Sequence, residues 1–317
     1  MKYHELPNGD SIPALGLGTW KSAGGEAYAA VKEAIRIGYR HIDCAPTYFN
    51  EREIGEALKE ALVEGEVNRS DLWITSKLPS HSHGEAEVLP ALEKTLSDLQ
   101  LDYLDLFLIH WPVALSKGVV VPERGEDFRS LEVVPLSTTW KAMEACRKQG
   151  LCRHIGVSNF SVKKLTALIA ESSTVPAMNQ VESHPFLQQH ELMDYCRREN
   201  ILVTAYSPLG SRDRPAMLIQ EDEPNLLDHP LIHQIAEKQG ITAAQTLIGW
   251  ALNRGTIVIP KSTDPGRLRE NFAAAEIELP PQDMTAIAAL DRHYRYVDAH
   301  FWEMEGSSYT VATVWDE

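Results

Sequence analysis

Eight short apolar runs, rich in β-branched residues, recur along the chain, at residues 14–18, 40–43, 73–77, 104–110, 154–158, 177–181, 202–206 and 256–260. Between them the apolar residues switch to helical spacing, as in Ala27-Ala30-Val31-Ala34-Ile35 and Leu89-Leu92-Leu96-Leu99. Gly38, Gly150, Gly240 and Gly255 stand where the helices would stop before the next strand. Strands that are apolar on both faces and alternate with helices predict a parallel sheet covered by helices. Eight such units in one chain favour closure into a (β/α)8 TIM barrel over an open sheet. No composition break or Gly/Ser linker divides residues 1–317, so a single domain is expected. The start differs from this pattern. Residues 3–6 and 11–13 flank Pro7-Asn8-Gly9-Asp10, and Asn-Gly between extended segments predicts a β-hairpin that could plug the closed end of the barrel. Three stretches exceed ordinary connection lengths: residues 113–135, 208–230 and 293–317. In a barrel the first two belong to the face at the strands' C-terminal ends, where function is built.

Bulk properties exclude some partners. A formal net charge of −15 leaves no basic excess to neutralise phosphates, which argues against nucleic acid and anionic membranes. Any anion must be held by a local basic cluster. No apolar signal region opens the chain and no 18-residue apolar run occurs, so a protein outside the membrane is expected. Cys44, Cys146, Cys152 and Cys196 show no Cys-x-x-Cys spacing, the pattern of reduced thiols in a cytoplasmic protein.

Asp43, Lys77 and His110 end three of the apolar runs, and Tyr48 follows Asp43 by five residues. A tyrosine hydroxyl can donate a proton, and a nearby Lys77 ammonium would lower its ordinary pKa of about 10. Asp43 would keep Lys77 charged, and His110 could hold a carbonyl oxygen as charge develops on it. Such parts suit carbonyl–alcohol interconversion, for which the chain must borrow a hydride from a nicotinamide cofactor. Gly16-x-Gly18 lacks the third glycine and the following acid of the doubly wound dinucleotide motif. A phosphate site is legible elsewhere. Lys261, Ser262 and Arg267 converge on a helix start with Asp264 as N-cap and Pro265 at the first helical position. Residues 207–211 could cover a pyrophosphate, and Tyr206 offers a flat face to a nicotinamide ring. Each position also has a plain structural reading: Asp43–Lys77 as a buried ion pair, Tyr48 as packing, His110 as a core histidine, Lys261 and Arg267 as a solvated helix start. Their joint placement at one barrel mouth separates the two readings. His81-Ser82-His83 has no further ligands at fitting spacing, so no metal site is expected.

Taken in order, the segments Leu15-Gly16-Leu17-Gly18-Thr19-Trp20, His41-Ile42-Asp43-Cys44-Ala45-Pro46-Thr47-Tyr48, Leu108-Ile109-His110-Trp111-Pro112, Ile155-Gly156-Val157-Ser158-Asn159-Phe160, Ala205-Tyr206-Ser207-Pro208-Leu209-Gly210 and Ile259-Pro260-Lys261-Ser262 resemble the aldo-keto reductase superfamily, close to its aldose/aldehyde reductase branch. The resemblance covers nearly the whole chain. It implies a catalytic tetrad of Tyr48, His110, Lys77 and Asp43, with Tyr48 as proton donor and His110 orienting the carbonyl. It implies NADPH/NADP+ as the favoured cofactor, with NADH as the less favoured alternative. Ser158, Asn159 and Gln180 would hold the carboxamide, Tyr206 would stack on the nicotinamide, and Lys261, Ser262, Arg267 and Asn271 would hold the 2′-phosphate end. Thr19, Trp20, Lys21, Asp43, Ser207, Leu209, Ser211 and Asp213 complete the implied cofactor contacts, Lys21 and Asp213 as a pair closing a loop over the pyrophosphate. Trp20, Tyr48, Phe49, His110 and Trp111 would line the substrate pocket, and the tail with Trp302 and Trp315 would touch it. Asp264 departs from the uncharged residue that relatives often carry near the 2′-phosphate. The expected activity is reduction of aldehydes, and of ketones or aldoses, by a monomer acting on small-molecule carbonyls. The alternative is a catalytically weak NADPH-binding regulatory or structural protein on the same fold.

Overall fold

The computed structural model describes residues 2–22, 24–220 and 222–317. Its strands are β1 (Tyr3–Glu5), β2 (Ser11–Pro13), β3 (Leu17–Gly18), β4 (His41–Asp43), β5 (Trp73–Leu78), β6 (Leu104–Ile109), β7 (Ala114–Leu115), β8 (Phe128–Arg129), β9 (Cys152–Ser158), β10 (Met178–Glu182), β11 (Leu202–Tyr206) and β12 (Ile257–Val258). The helices are α1 (Glu26–Ile37), α2 (Glu51–Val63), α3 (Glu85–Leu99), α4 (Leu136–Lys148), α5 (Val162–Glu171), α6 (His190–Arg198), α7 (Pro230–Gln239), α8 (Ala243–Asn253), α9 (Pro265–Ala273), α10 (Pro281–Ala288) and α11 (Val311–Trp315).

Eight strands form one parallel sheet in the order β12-β11-β10-β9-β6-β5-β4-β3. Each expected apolar run supplies one of them. The two outermost strands meet through the parallel bridges Leu15–Val258 and Gly18–Lys261, so the sheet returns on itself. Gly16 N–H donates to Val258 O (2.9 Å) and Val258 N–H to Ala14 O (2.8 Å) along this seam. The regular ladder there is shorter than the five-residue runs suggest, because the chain is squeezed at the closure. A Cβ on Gly16 would stand 2.6 Å from the His41 ring, and one on Gly18 would stand 2.6 Å from Ile259 O. Only glycine lets the backbones approach that closely.

The hairpin forms as expected, with His4 opposite Ile12. Leu6 and Ile12 pack against Trp73, Met178 and Ile257, the first residues of β5, β10 and β12. The hairpin therefore covers the ends at which the strands begin. His154 Nε2 lies 2.8 Å from Asp10 Oδ2 and its ring stacks on Trp73, pinning the turn to the barrel floor.

The long stretches gather at the opposite end. Residues 113–135 carry the small antiparallel ribbon β7–β8. Trp111, Val113 and Phe128 join Trp302, Tyr309 and Trp315 of the tail in a second apolar cluster beyond the ends of the strands. The main core lies between the sheet and its helices.

Candidate active site

Strand alternation places the first functional group. In β5 successive side chains face opposite ways: Ser76 turns to the helix layer, where its Oγ donates to Glu51 (2.5 Å), and Lys77 turns inward. Lys77 is fully buried. Its ammonium pairs with Asp43 at the end of β4, donates to Cys44 O (2.9 Å) and donates to Tyr48 Oη (3.3 Å). All three of its protons have partners. Burial alone would pull the Lys77 pKa down, but Asp43 and Tyr48 outweigh it and hold the ammonium above the ordinary lysine value. The second Asp43 oxygen accepts from Gln180 Nε2 (2.7 Å), which arrives from β10 across the barrel.

Tyr48 sits on a 3-10 turn, Pro46–Tyr48, directly after β4. His110 follows β6, and its ring meets the Tyr48 ring edge-on at 5.7 Å. The backbone of His110 is fixed at both ends: N–H donates to Leu78 O (3.2 Å) and O accepts from Asn159 Nδ2 (2.9 Å). Thr47 Oγ1 lies 3.4 Å from His110 Nδ1. Burial, reinforced by the Lys77 charge, drives the His110 pKa well below the ordinary histidine value, so the ring is neutral. One expectation is corrected here. Lys77 does pull the Tyr48 pKa down, but burial is the larger effect and the phenol is pushed up to about 12.

A cavity of about 680 Å³ opens over these groups at the C-terminal ends of the strands. Every residue assigned from the sequence to the cofactor lines it. At its centre Ser158 Oγ donates to Gln180 O (2.7 Å), and Tyr206 Oη donates to Asn159 Oδ1 (2.8 Å). Asn159 Nδ2 also reaches Ser158 Oγ (3.2 Å), so these polar groups are held in place by one another before any ligand arrives. Thr19 Oγ1 donates to Asp43 O (2.8 Å) in the same wall.

The cavity extends to Lys261, Ser262 and Arg267 around the N-terminus of α9, and to Asn271 further along that helix. Asp264 is that helix's N-cap, its Oδ1 accepting from Arg267 N–H (2.8 Å). The acidic side chain that departs from the related pattern is thus occupied in capping. Above, Lys21 pairs with Asp213 (2.6 Å) and reaches Ser211 Oγ (3.3 Å), and Asp213 also lies 3.4 Å from Lys261. This bridge joins the loop after β3 to the loop after β11 over the cavity, where Ser207 and Leu209 also line the wall. Burial acts to raise the Asp213 pKa, but Lys21 and Lys261 hold it below the usual carboxylate value. The fit to a dinucleotide phosphate rests on this cationic helix N-terminus within a cavity that continues to the tetrad.

Trp20, Tyr48, His110 and Trp111, which the sequence reading assigned to a substrate pocket, also line the cavity. Phe49 does not. It ends the 3-10 turn in a left-handed conformation (φ 58°), is 79% exposed and stays outside the cavity wall. Trp302 does line it, while Trp315 stands behind Trp111 at 5.8 Å. The sequence reading missed Val297 and Phe301 of the tail and Val120 of residues 113–135, all in the wall. Thr47 was visible only as a neighbour of Tyr48. An apolar residue in a long loop carries no periodic signal of which way it faces, so only tertiary packing identifies these positions.

Comparison with known proteins agrees with this arrangement. A family model described as "Aldo/keto reductase family" matches residues 14–292. The chain is 55% identical over 317 residues to an aldo/keto reductase of Synechocystis sp., covering 100% of this chain and 97% of that protein. It is 44% identical over 294 residues to aldo-keto reductase family 1 member A1 of Rattus norvegicus and 45% identical over 294 residues to that of Homo sapiens, in both cases across 92% of this chain and 90% of the relative. No described helix is long and apolar enough to cross a membrane.

Proposed function

Because the chain belongs to the aldo/keto reductase family and is on that ground an oxidoreductase acting on carbonyls, we propose that it reduces aldehydes, and ketones or aldoses, to alcohols with NADPH, Tyr48 giving the proton. The observation that carries this reading is the convergence of Lys77 on both Asp43 and Tyr48, with His110 edge-on to the phenol, inside the cavity that also holds Lys261 and Arg267. NADPH, when bound, supplies the hydride.

The chain's own groups supply the rest. Burial keeps the Tyr48 phenol protonated at neutral pH, so it is a donor in the ground state. Lys77, fixed by Asp43, sets a positive charge beside Tyr48 Oη and stabilises the phenolate as the proton leaves. Neutral His110 has no protein partner at Nε2 among the described residues, which leaves that edge to donate to a carbonyl oxygen. Ser158, Asn159 and Gln180 orient the carboxamide and Tyr206 takes the ring face. Lys261, Ser262, Arg267 and Asn271 hold the 2′-phosphate, and the Lys21–Asp213 bridge covers the pyrophosphate. One chain provides the whole cavity, consistent with a monomer. Four buried, unpaired cysteines suit a reducing cytoplasmic setting.

The test is oxidation of NADPH and, in parallel, NADH against a panel of aldehydes, ketones and aldoses, followed by nicotinamide absorbance. Arg267→Ala should weaken NADPH about ten- to a hundredfold, the worth of a lost charged hydrogen bond, and change NADH by less than about twofold. Equal losses would remove the 2′-phosphate assignment. Tight NADPH binding with no turnover of any carbonyl would favour the catalytically weak regulatory or structural protein instead.

A further inference from the structure

Helix α11 has only five residues and sits against the back of the substrate wall. A helix that short does not hold itself together in water, and its final carbonyls lack helical partners. Here backbone N–H groups serve Ala312 O, and a single side chain from another element serves two more carbonyls. Lys164 of α5 donates through Nζ to Thr313 O (2.8 Å), Val314 O (3.0 Å) and Asp316 Oδ2 (2.5 Å). The pair is largely withdrawn from solvent, Lys164 being 10% and Asp316 15% exposed. A cation here also meets the negative end of the helix dipole.

The clasp has two neighbours that matter to the cavity. Trp315 lies directly between the held carbonyls and Asp316. Its ring meets Trp111 edge-on at 5.8 Å, and its Nε1 donates to Asp298 O (2.8 Å). Trp111 is the wall residue next to His110. On the other side, Asp316 accepts from Ser161 Oγ, and Ser161 is the N-cap of α5, accepting from Lys164 N–H (3.1 Å). Ser161 follows Ser158 and Asn159 by two to three residues. The clasp therefore ties the loop bearing the carboxamide-binding residues to the support of the substrate wall.

We propose that Lys164 is a positioning residue for substrate selection: by clasping residues 313–316 it seats Trp315 behind Trp111 and sets the width of the apolar wall beside His110. Lys164 is not among the residues that line the cavity. This inference rests on the carbonyl-reductase reading of the cavity, and it assigns that cavity a preference for flat aromatic aldehydes over small aliphatic ones, set by wall position.

The experiment compares the unaltered protein with Lys164→Met, which keeps the apolar stem and removes the ammonium, using benzaldehyde and propanal with NADPH. Lys164→Met should raise the KM for benzaldehyde about tenfold, the scale of a loosened apolar pocket. The KM for propanal, both kcat values and the NADPH dissociation constant should stay within about twofold. Lys164→Arg, which can still reach the carbonyls, should recover most of the loss, and Asp316→Asn should show a smaller change in the same direction. Equal losses for both aldehydes, or no change for either, would overturn the proposal. Amide hydrogen exchange gives a second readout independent of turnover. Lys164→Met should speed exchange in residues 311–317 and also in residues 108–115; faster exchange confined to 311–317, or unchanged exchange, would contradict the coupling. If the unaltered protein reduces neither aldehyde, the functional reading fails, and the exchange result still decides the clasp.

Discussion

Tyr48 has two opposed influences on its proton: burial, which disfavours the phenolate, and Lys77, which favours it. Burial wins in the free protein, and the pKa is pushed up to about 12. A donor whose pKa lies above the working range stays protonated throughout it and is lost only on the alkaline side. His110, its pKa held well below the ordinary value, contributes no ionisation near neutrality. The kcat/KM for carbonyl reduction should therefore be flat from about pH 6 to pH 9 and decline only at higher pH. A pH–rate profile that falls tenfold per unit from near neutrality would mean that Lys77 dominates after all. The residues of the tetrad were legible in the sequence because Asp43, Lys77 and His110 each end an apolar run. The balance between burial and charge at Tyr48 was not, because the depth of a side chain depends on loops that close over it from distant parts of the chain. Phe49 shows the same limit in reverse. An aromatic next to Tyr48 reads as pocket lining, but the left-handed turn residue leaves it 79% exposed.

At the scale of elements, β5 joins the active site to the helix layer through its alternation. Lys77 faces the barrel interior, and Ser76, one residue earlier, holds Glu51 in the first turn of α2. Glu51 is 4% exposed, and burial pushes its pKa up to about 7 against the pull of Ser76. A carboxyl raised in this way favours the folded state fully below its unfolded value, near 4.5, and loses that contribution as pH rises through about 7. Glu51→Gln keeps an acceptor for Ser76 and removes the titration. The variant should exceed the unaltered protein in stability by on the order of 2 kcal/mol at about pH 8, with the gap closing towards about pH 5. Urea unfolding at the two pH values measures this, and a gap that does not change with pH would show that Glu51 does not titrate between them. Nothing marked the β7–β8 ribbon, but the alternation of apolar runs and helical spacing made all eight strands of the parallel sheet legible, and Asn8-Gly9 made the hairpin legible. The ladder lengths of β3 and β12 were not, since the seam between Ala14 and Val258 is a contact between residues far apart in the chain whose closeness no local pattern encodes.

For the whole molecule, the barrel brings together side chains from β4, β5 and β10 and from the residues just after β4 and β6, which the linear order scatters, and the hairpin covers one end of the sheet while the candidate site occupies the other. The hairpin fills the first end with Leu6 and Ile12. The long connections and the tail build the second, and they hold the part of the cavity wall that sequence patterns missed. A net charge of −15 surrounds a site that, on the proposed function, takes an anionic cofactor, so the cations Lys21, Lys261 and Arg267 would act locally against the overall field. On the proposed function Tyr48 gives the proton, while the rest of the cavity binds NADPH without it. Steady-state reduction of a reactive aldehyde by Tyr48→Phe, measured beside NADPH binding by fluorescence titration, tests it most directly. If Tyr48 is the donor, kcat falls by at least about a thousandfold with the NADPH dissociation constant within about threefold of the unaltered protein; turnover retained to within about tenfold would rule Tyr48 out as the donor.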